Sequence, residues 1–357
     1  MASRRNEERK QAMKAAQLHD GATTLQIDDV SLPEPGPGEV RVALTRAFVA
    51  PYQRSLIDGT AGFDTPPRPF APGMDGVGRI NKVGFGVAGL EPGQRVYCDN
   101  YYGSHGTSAP ADHCFLGNFM IGDDSTANLA RWPAGSFAEF AVLPAECLIP
   151  VPDEVDVDDG LLTRLGWLGT AYGAFRKVGL CAGQDVAVLG ATGFVGASAV
   201  LVALAMGACS VVALGRRRVV LDEIAALDQR VSTATAMPEG RMVDVVLTSI
   251  DGSDSTPVAN AMTHLRRRGA LVTVADTSEP LPVPMGWLFS NDITVRGSLW
   301  FERRDIADLL AMIGSGVLDL SAVRQRVFPL ERVGDALDAA AARPSGLEQV
   351  VLACAAP

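Results

Sequence analysis

A group of small residues between two apolar segments is the part of the sequence that most clearly indicates a ligand-binding site. The β-branched segment Asp185–Leu189 precedes them, and residues 197–207 after them have the composition of a buried helix. The pattern is Ala191-x-Gly193-x-x-Gly196. We expect Gly193 to adopt a backbone conformation that other residues avoid, and Gly196 to let the helix lie close to the strand.

This segment, Gly190–Gly196, is called the glycine turn below. A helix that begins at such a turn directs its N-terminus at an anion, and the spacing is typical of a turn that binds the pyrophosphate of a dinucleotide. Small-residue turns before helices also occur without a ligand. The predicted cofactor contacts are Ala191, Thr192, Gly193, Phe194, Val195 and Gly196.

A cluster of arginines follows the next predicted strand, Ser210–Leu214, about twenty positions after the glycine turn. An acid at this place binds the ribose hydroxyl of NAD, whereas arginine accommodates the additional phosphate of NADP. The arginines also enter the first turn of a predicted helix, Val219–Leu227, where cations oppose the helix dipole unless an anion is bound. A solvated basic turn is the alternative. We predict NADP(H) as cofactor, with contacts from Gly215, Arg216, Arg217 and Arg218.

A second arginine triplet, Arg266–Arg268, has a structural interpretation. It ends the predicted helix Pro257–Arg267 and precedes Gly269. Positive charge stabilises that end of a helix, and glycine is the usual residue after it. We predict no ligand there.

The composition excludes several classes of function. The chain has 357 residues, 47% of them hydrophobic and 20% charged, which suits two folded domains. A net charge of -10 argues against nucleic acid and anionic membranes as partners.

Residues 1–12 are highly charged without a following apolar segment, so they predict a mobile arm rather than a signal peptide or membrane anchor. Six cysteines without framework spacing favour reduced thiols in the cytoplasm.

The elements that would position these residues change in character along the chain. Short strands separated by glycine and proline predict a small barrel or sandwich in residues 13–165. One helix is predicted over Leu161–Val178, ended by Gly179. Alternating strands and helices then predict a doubly wound parallel sheet in residues 166–300, and residues 301–357 are expected to return to the first domain. The predicted strands are Leu25–Ile27, Glu39–Leu44, Gly76–Val83, Gln94–Cys98, Phe137–Val142, Val243–Leu247, Ala270–Ala275, Ile293–Leu299 and Gln349–Ala353, besides the two named above.

Five motifs in this order make the chain resemble the medium-chain dehydrogenase/reductase superfamily from about Met13 onward. The glycine turn is more similar to that of the quinone-reductase and enoyl-reductase branches than to that of the zinc alcohol dehydrogenases. The resemblance implies an α/β protein with a β-rich GroES-like catalytic domain and a Rossmann domain. The motifs are Pro35–Val40 (PGPGEV), Pro72–Gly78 (PGMDGVG), Gly93–Val96 (GQRV), Gly135–Phe140 (GSFAEF) and the glycine turn.

The resemblance also implies that the catalytic zinc of the family is absent. Its three ligand positions correspond to Ala50, Met74 and Gly166, and none of these binds zinc. The region of the family's structural zinc, Cys98 to Arg131, lacks the four tightly spaced cysteines. It contains only Cys98, His105, His113 and Cys114, whose spacing is not that of a zinc knuckle. We predict no metal site.

Without zinc, other groups must stabilise the developing oxyanion and deliver a proton. The segment Ala50–Arg54 matches the one that lines the nicotinamide pocket of zinc-free relatives, so Tyr52 is a candidate donor and Gln53 or Arg54 a candidate for orienting substrate. Tyr52 packing in a core and Arg54 in solvent is the alternative. Asp75 either binds a substrate group or caps a turn, and Thr170 resembles a position near the nicotinamide amide.

Aromatic residues provide further candidates for the pocket. Asp99 to Pro133 is expected to be a long loop without clear strands, and it carries Tyr101 and Tyr102. Such a loop is usually functional or mobile, and this one is a candidate cover for the substrate. Trp287 and Phe289 either line the pocket or belong to a core.

These features predict a cytoplasmic, zinc-independent, NADPH-dependent reductase of a carbonyl or activated C=C bond in a small to medium organic substrate. The alternatives are an NADPH:quinone reductase and a cofactor-binding protein without turnover. The resemblance further implies a homodimer, because the last Rossmann strand of the family pairs with its twin, here within Thr294–Trp300. The other possibility is that Asp99 to Pro133 covers this edge.

Overall fold

The computed structural model describes residues 12–103, 113–121 and 126–354. It divides into two compact units, the first formed by residues up to 164 with 325–343 and from 349 onward, the second by residues 165–324 with 344–348. Of the predicted mobile arm, residues 1–11 lie outside the described residues, and Ala12 already belongs to a strand. Within the described ranges, none of the helices has the length and apolar character needed to cross a membrane.

The elements up to residue 164 are mostly short strands. They are β1 (Ala12–Gln17), β2 (Gln26–Ser31), β3 (Glu39–Phe48), α1 (Gln53–Ile57), β4 (Met74–Val83), β5 (Arg95–Cys98), β6 (Tyr101–Gly103), β7 (His113–Phe115), β8 (Phe119–Ile121), α2 (Thr126–Arg131), β9 (Phe140–Pro144), β10 (Leu148–Pro150) and α3 (Asp159–Leu162).

From residue 165 strands and helices alternate. The elements are α4 (Leu165–Lys177), β11 (Asp185–Leu189), α5 (Phe194–Ala205), β12 (Ser210–Leu214), α6 (Arg218–Ala225), β13 (Val231–Ala234), β14 (Val243–Thr248), α7 (Thr256–Met262), β15 (Leu265–Thr273), α8 (Met285–Asn291), β16 (Thr294–Gly297), α9 (Arg303–Gly314), β17 (Arg324–Pro329), α10 (Val333–Ala341) and β18 (Glu348–Ala353).

The first unit is built on a seven-stranded sheet of order β10-β5-β4-β3-β18-β17, with β9 also paired to β3. Its core contains buried aliphatic and aromatic side chains such as Val42, Phe137, Leu148 and Val350. A two-stranded sheet, β1-β2, and a three-stranded sheet, β6-β7-β8, complete it. The prediction of a β-rich first domain is therefore confirmed.

The three-stranded sheet corrects one expectation. The region from Asp99 to Pro133 is not a loop without strands, because its described residues form β6, β7, β8 and α2. Each of these strands has three residues, too few for a periodic pattern to appear in the sequence. They are stabilised by aromatic packing, for example between Phe115 and Phe119, whose ring centroids are 4.9 Å apart.

The second unit contains a six-stranded parallel sheet of order β13-β12-β11-β14-β15-β16. Its central strand β11 is buried on both faces from Val186 to Leu189, which explains the continuous apolar run in the sequence. The predicted doubly wound parallel sheet is confirmed.

One predicted helix in this unit was too long. Helix α7 ends at Met262, and Leu265–Thr273 forms strand β15. The Arg266–Arg268 triplet therefore lies on a strand and not at a helix end. Arg266 donates to Asp185 Oδ2 and to Asp244 Oδ2, each at 2.7 Å, so its charge is balanced at the start of the sheet. Sequence periodicity does not show these partners.

Two further boundaries differ from the expectation. The single helix predicted over Leu161–Val178 is two helices, α3 and α4, and the Thr163 hydroxyl donates to the Gly160 carbonyl at 2.7 Å where the first one ends. Helix α9 belongs to the second unit, where the buried Asp305 accepts a bond from Arg176 Nε at 2.6 Å. The return to the first unit therefore begins at residue 325 rather than at 301.

Candidate functional site

The glycine turn joins β11 to α5, and its residue with a positive φ is Gly190. Gly190 has φ +81°, whereas Gly193, the N-cap of α5, has φ -90° and ψ 174°, which any residue adopts. The expectation of an unusual conformation at Gly193 was therefore wrong. The N–H groups of Gly190 and Ala191 both donate to the Leu214 carbonyl, at 3.0 and 2.9 Å, and hold the turn to β12.

The first turn of α5 lies against the end of β11. A Cβ atom on Gly196 would lie 2.2 Å from the Gly190 carbonyl oxygen, so no other residue fits there without moving the backbone. The leading N–H groups of a helix have no partner within it and attract an anion. This close approach is the one that the sequence pattern predicts.

The three arginines after β12 have different environments. Arg216 is exposed and forms neither a hydrogen bond nor an ion pair within the described residues. Arg217 donates to the Thr192 carbonyl and, at 3.0 Å, to the Pro344 carbonyl. Arg218 forms an exposed ion pair with Asp222 at 3.5 Å. Arg216 is therefore the cation most available to a ligand.

Two other predicted contacts in the second unit have internal roles. A Cβ atom on Gly215 would lie 2.6 Å from Thr192 Cγ2, so Gly215 lets the two chain segments approach. The Thr170 hydroxyl donates to the Gly166 carbonyl of its own helix at 2.8 Å. Neither observation tests a contact with a cofactor.

In the first unit, Tyr52 is half-buried beside Met74. Its hydroxyl donates to Met74 Sδ at 2.9 Å, and its ring lies edge-on to Phe119 with centroids 6.1 Å apart. Burial, assisted by the charge of Asp75, raises the pKa of Tyr52 far above its usual range. This hydroxyl is therefore a neutral hydrogen-bond donor that does not ionise readily.

Gln53 forms a buried amide pair with Asn118. Gln53 Nε2 donates to Asn118 Oδ1 at 2.7 Å, and both side chains are almost inaccessible. Gln53 Oε1 and Asn118 Nδ2 have no hydrogen-bond partner among the described residues. The pair thus retains one acceptor and one donor. Arg54, the other candidate for orienting substrate, is ion-paired with Asp338.

Asp75 is a fully buried carboxyl with φ +48°. The Tyr97 hydroxyl donates to its Oδ1, while its Oδ2 has no partner within the described part of the chain. Burial raises the pKa of Asp75 to about 8, against the opposing effect of the Tyr97 hydrogen bond and with a further increase from Asp99. Asp75 is therefore largely protonated at neutral pH.

These side chains form one neighbourhood of the first unit. Tyr97 and Asn118 were not found by sequence reasoning, since Tyr97 lies within a regular strand and Asn118 follows Gly117 in a tight turn between β7 and β8. No local signal distinguishes either residue. We call the group the Met74 cluster; its members are Tyr52, Gln53, Met74, Asp75, Tyr97 and Asn118.

The remaining aromatic candidates lie elsewhere. Tyr101 stacks on His113 with centroids 5.3 Å apart, and Tyr102 packs on Trp132. Trp287 packs against the core of the second unit, whereas Phe289 is 89% exposed.

The residues considered for a structural metal do not form a described site. His105 lies outside the described residues, while Cys98 and Cys114 are buried. Among the described residues, no three or more His, Cys, Asp or Glu side chains form a group that could hold a metal ion.

Comparisons with known proteins find family matches in both halves of the chain. Residues 36–153 match the alcohol dehydrogenase GroES-like domain, and residues 221–345 match the zinc-binding dehydrogenase family. An alcohol dehydrogenase of Moraxella sp. is 30% identical over 329 residues, covering 90% of this chain and 94% of that protein. An acryloyl-coenzyme A reductase of Metallosphaera sedula is 26% identical over 306 residues, covering 85% of this chain and 90% of that protein.

Solved structures show the same relationship. The cobalt- and zinc-bound thermostable alcohol dehydrogenase of Pyrobaculum aerophilum superimposes with a TM-score of 0.76 at 25% identity, covering 96% of this chain and 99% of that chain. The motifs, the two folds and these relatives agree. This chain is an oxidoreductase of the medium-chain dehydrogenase/reductase superfamily.

Proposed function

We propose that this protein is a zinc-independent, NADPH-dependent reductase that acts on a carbonyl or activated C=C bond of a small to medium organic substrate. The observation that carries the choice of cofactor is Arg216, a cation without a described partner at the end of β12, where an acid otherwise binds the ribose of NAD. The close approach at Gly196 supports the glycine turn as the pyrophosphate site. The bound nicotinamide supplies the hydride.

Arg216 supports NADPH over NADH quantitatively. A charge-assisted hydrogen bond to a phosphate contributes about 1.5–3 kcal/mol, which corresponds to a preference of at least about tenfold. The absence of a competing acid in the segment Gly215–Arg218 supports the same choice.

Zinc independence is supported by the residues at the three ligand positions of the family. Ala50 and Gly166 have no ligand atom, and Met74 offers only a thioether, which accepts a hydrogen bond from Tyr52. Zinc in proteins takes thiolate, imidazole or carboxylate ligands, so these residues do not fit the metal. The polarisation of the substrate must come from hydrogen bonds, which favours an acceptor that is already conjugated.

The Met74 cluster provides groups for this task. When substrate binds, the single hydroxyl proton of Tyr52 turns from Met74 Sδ to the substrate oxygen, and Tyr52 donates this bond without ionising, since its pKa is raised by burial. Asp75 retains a proton near neutral pH and is the candidate proton source. Gln53 Oε1 and Asn118 Nδ2, which have no described partner, would orient a polar group of the substrate only if its binding opens the packing that buries both side chains.

The experiment is NADPH oxidation across a panel of enones, aldehydes and quinones, together with elemental analysis. We expect turnover of a conjugated carbonyl compound and no stoichiometric zinc. Activity with quinones alone would identify a quinone reductase. Failure with every acceptor despite tight NADPH binding would indicate a cofactor-binding protein without turnover, and loss of activity to a chelator with one zinc per chain would overturn zinc independence.

A further inference from the structure

The glycine turn is covered by a short segment from near the C-terminus, Pro344–Glu348, which belongs to the same unit. We call it the strap. The Thr192 carbonyl accepts one bond from the Gly346 N–H at 3.1 Å and another from the Arg217 guanidinium. The same guanidinium donates to the Pro344 carbonyl at 3.0 Å. Arg217 therefore joins the strap to the glycine turn.

The strap makes direct van der Waals contact with the turn. A Cβ atom on Gly346 would lie 2.4 Å from the Gly193 carbonyl oxygen and 2.8 Å from Ala197 Cβ. Only glycine allows the strap to lie this close to the first turn of α5. Any displacement of the strap is thus transmitted to the main chain that faces the pyrophosphate.

The other side of the strap is anchored by hydrogen bonds to residues other than Arg217. The Ser345 hydroxyl donates to Glu223 Oε2 at 2.6 Å, and Arg324 donates to both oxygens of Glu223 at 3.1 Å. Leu347 is 2% exposed, and its carbonyl accepts from the Arg324 N–H at 2.8 Å. The strap is therefore a built element of the second unit, and Arg217 connects it to the turn.

We infer that Arg217 is a positioning residue that holds the glycine turn in its binding conformation, and that Arg216 alone supplies the preference for the phosphate of NADPH. Because peptide groups are planar, fixing the direction of the Thr192 carbonyl also fixes the Gly193 N–H, which closes the turn by donating to the Gly190 carbonyl at 2.9 Å. Two of the five N–H donors of the Arg217 guanidinium are committed to main-chain carbonyls, which restricts how far this side chain can turn toward a phosphate. This inference rests on the proposed function in assuming that the glycine turn binds a dinucleotide.

The test is a set of dissociation constants for NADPH and for NADH, measured by fluorescence titration of the full-length protein. Arg217→Ala should weaken both cofactors by the same factor, roughly five- to tenfold, and leave their ratio unchanged. Arg217→Lys, which keeps one donor in reach, should recover part of the loss. Arg216→Ala should weaken NADPH alone. Arg267→Ala, an exposed arginine of the same unit without a partner among the described residues, is the matched control.

Amide hydrogen exchange separates positioning from a general loss of stability. In Arg217→Ala, exchange at Gly346 should accelerate while the thermal unfolding midpoint stays close to that of Arg267→Ala. A selective loss of NADPH binding in Arg217→Ala would make Arg217 a phosphate ligand and overturn the inference, as would unchanged binding of both cofactors. A wild-type preference for NADH would contradict the proposed function and the role of Arg216, yet an equal loss of both cofactors in Arg217→Ala would still support the positioning role of Arg217. A wild-type protein that binds neither would overturn both.

Discussion

The glycine turn and the Met74 cluster present different kinds of chemical groups. At the glycine turn the surface offered to a ligand is main chain, and its essential feature is the lack of a side chain at Gly196. In the Met74 cluster the chemistry lies in buried side chains, several of whose polar atoms have no partner in the described structure. Each region belongs to a different unit.

The contrast indicates which substitutions should disrupt each region. A site formed by main chain tolerates side-chain substitutions, except where an added atom would clash at a point of close contact. A buried polar atom without a partner costs about 1–3 kcal/mol, so the Met74 cluster is maintained against stability.

Gly196→Ala should abolish measurable NADPH binding. The new methyl carbon would lie 2.2 Å from the Gly190 carbonyl oxygen, and the backbone shift that relieves this contact costs about 1–3 kcal/mol. Cofactor titration and thermal unfolding measure the two effects. Gly334→Ala, on α10 with no atom within 4 Å of the added carbon, is the control and should change neither quantity appreciably. Unchanged binding in Gly196→Ala would remove the main-chain interpretation.

Asp75→Asn should flatten the dependence of stability on pH. The pKa of Asp75 is raised to about 8 in the folded protein, so between its ordinary value and 8 the folded state binds more protons than the unfolded state. The free energy of unfolding therefore falls as pH rises, by up to about 1.4 kcal/mol per pH unit from this group. Chemical denaturation between about pH 5 and about pH 8 measures the slope.

Tyr97→Phe sharpens the same measurement. The Tyr97 hydrogen bond lowers the pKa of Asp75, so its removal should move the fall in stability to higher pH. Turnover that needs the protonated acid should decrease above about pH 8 in wild type and at higher pH in Tyr97→Phe. Identical slopes in wild type and Asp75→Asn would show that Asp75 ionises normally.

Tyr52→Phe should lower kcat/KM by roughly three- to tenfold, the value of one neutral hydrogen bond of about 0.5–1.5 kcal/mol. A larger loss is not expected, because the raised pKa of Tyr52 makes it a donor rather than the acid. Steady-state kinetics with the best enone measures this. Tyr172→Phe, which removes a 3.1 Å bond to Asp308 in the second unit, is the matched control. Unchanged kinetics in Tyr52→Phe would leave the reaction class in place and exclude Tyr52 from the site.

We also propose a homodimer through β16. Like the glycine turn, this edge strand of the second unit presents main-chain groups to a partner. This strand forms an edge of the parallel sheet, all four of its residues are exposed, and Leu299 just after it is 53% exposed. Val295→Lys should convert the dimer to a monomer by light scattering, with little effect on cofactor binding. Val327→Lys, on the edge strand β17 of the other sheet, is the control. A monomeric wild-type protein at micromolar concentration would contradict the proposal.

The sequence by itself determined the parts of the protein that depend on neighbouring residues. The strand Ser210–Leu214 has the bounds that its apolar run predicts, and the glycine turn connects β11 to α5 as its small residues require. Both follow from local backbone preferences and from the burial of a continuous apolar run. The positive φ was predicted at Gly193 but lies at Gly190, because residue spacing alone does not show which glycine of the turn adopts this conformation.

Only the tertiary structure decided the roles of individual polar side chains. Arg216 and Arg217 are adjacent and identical in type, yet a carbonyl more than a hundred residues away engages Arg217 and leaves Arg216 without a described partner. The pKa of Asp75 is raised by complete burial. Asn118 accepts a hydrogen bond from Gln53, and no periodic pattern in the intervening sequence indicates this contact. The free energies of these groups depend on solvent exclusion and on partners distant in the chain, which no local pattern of residues records.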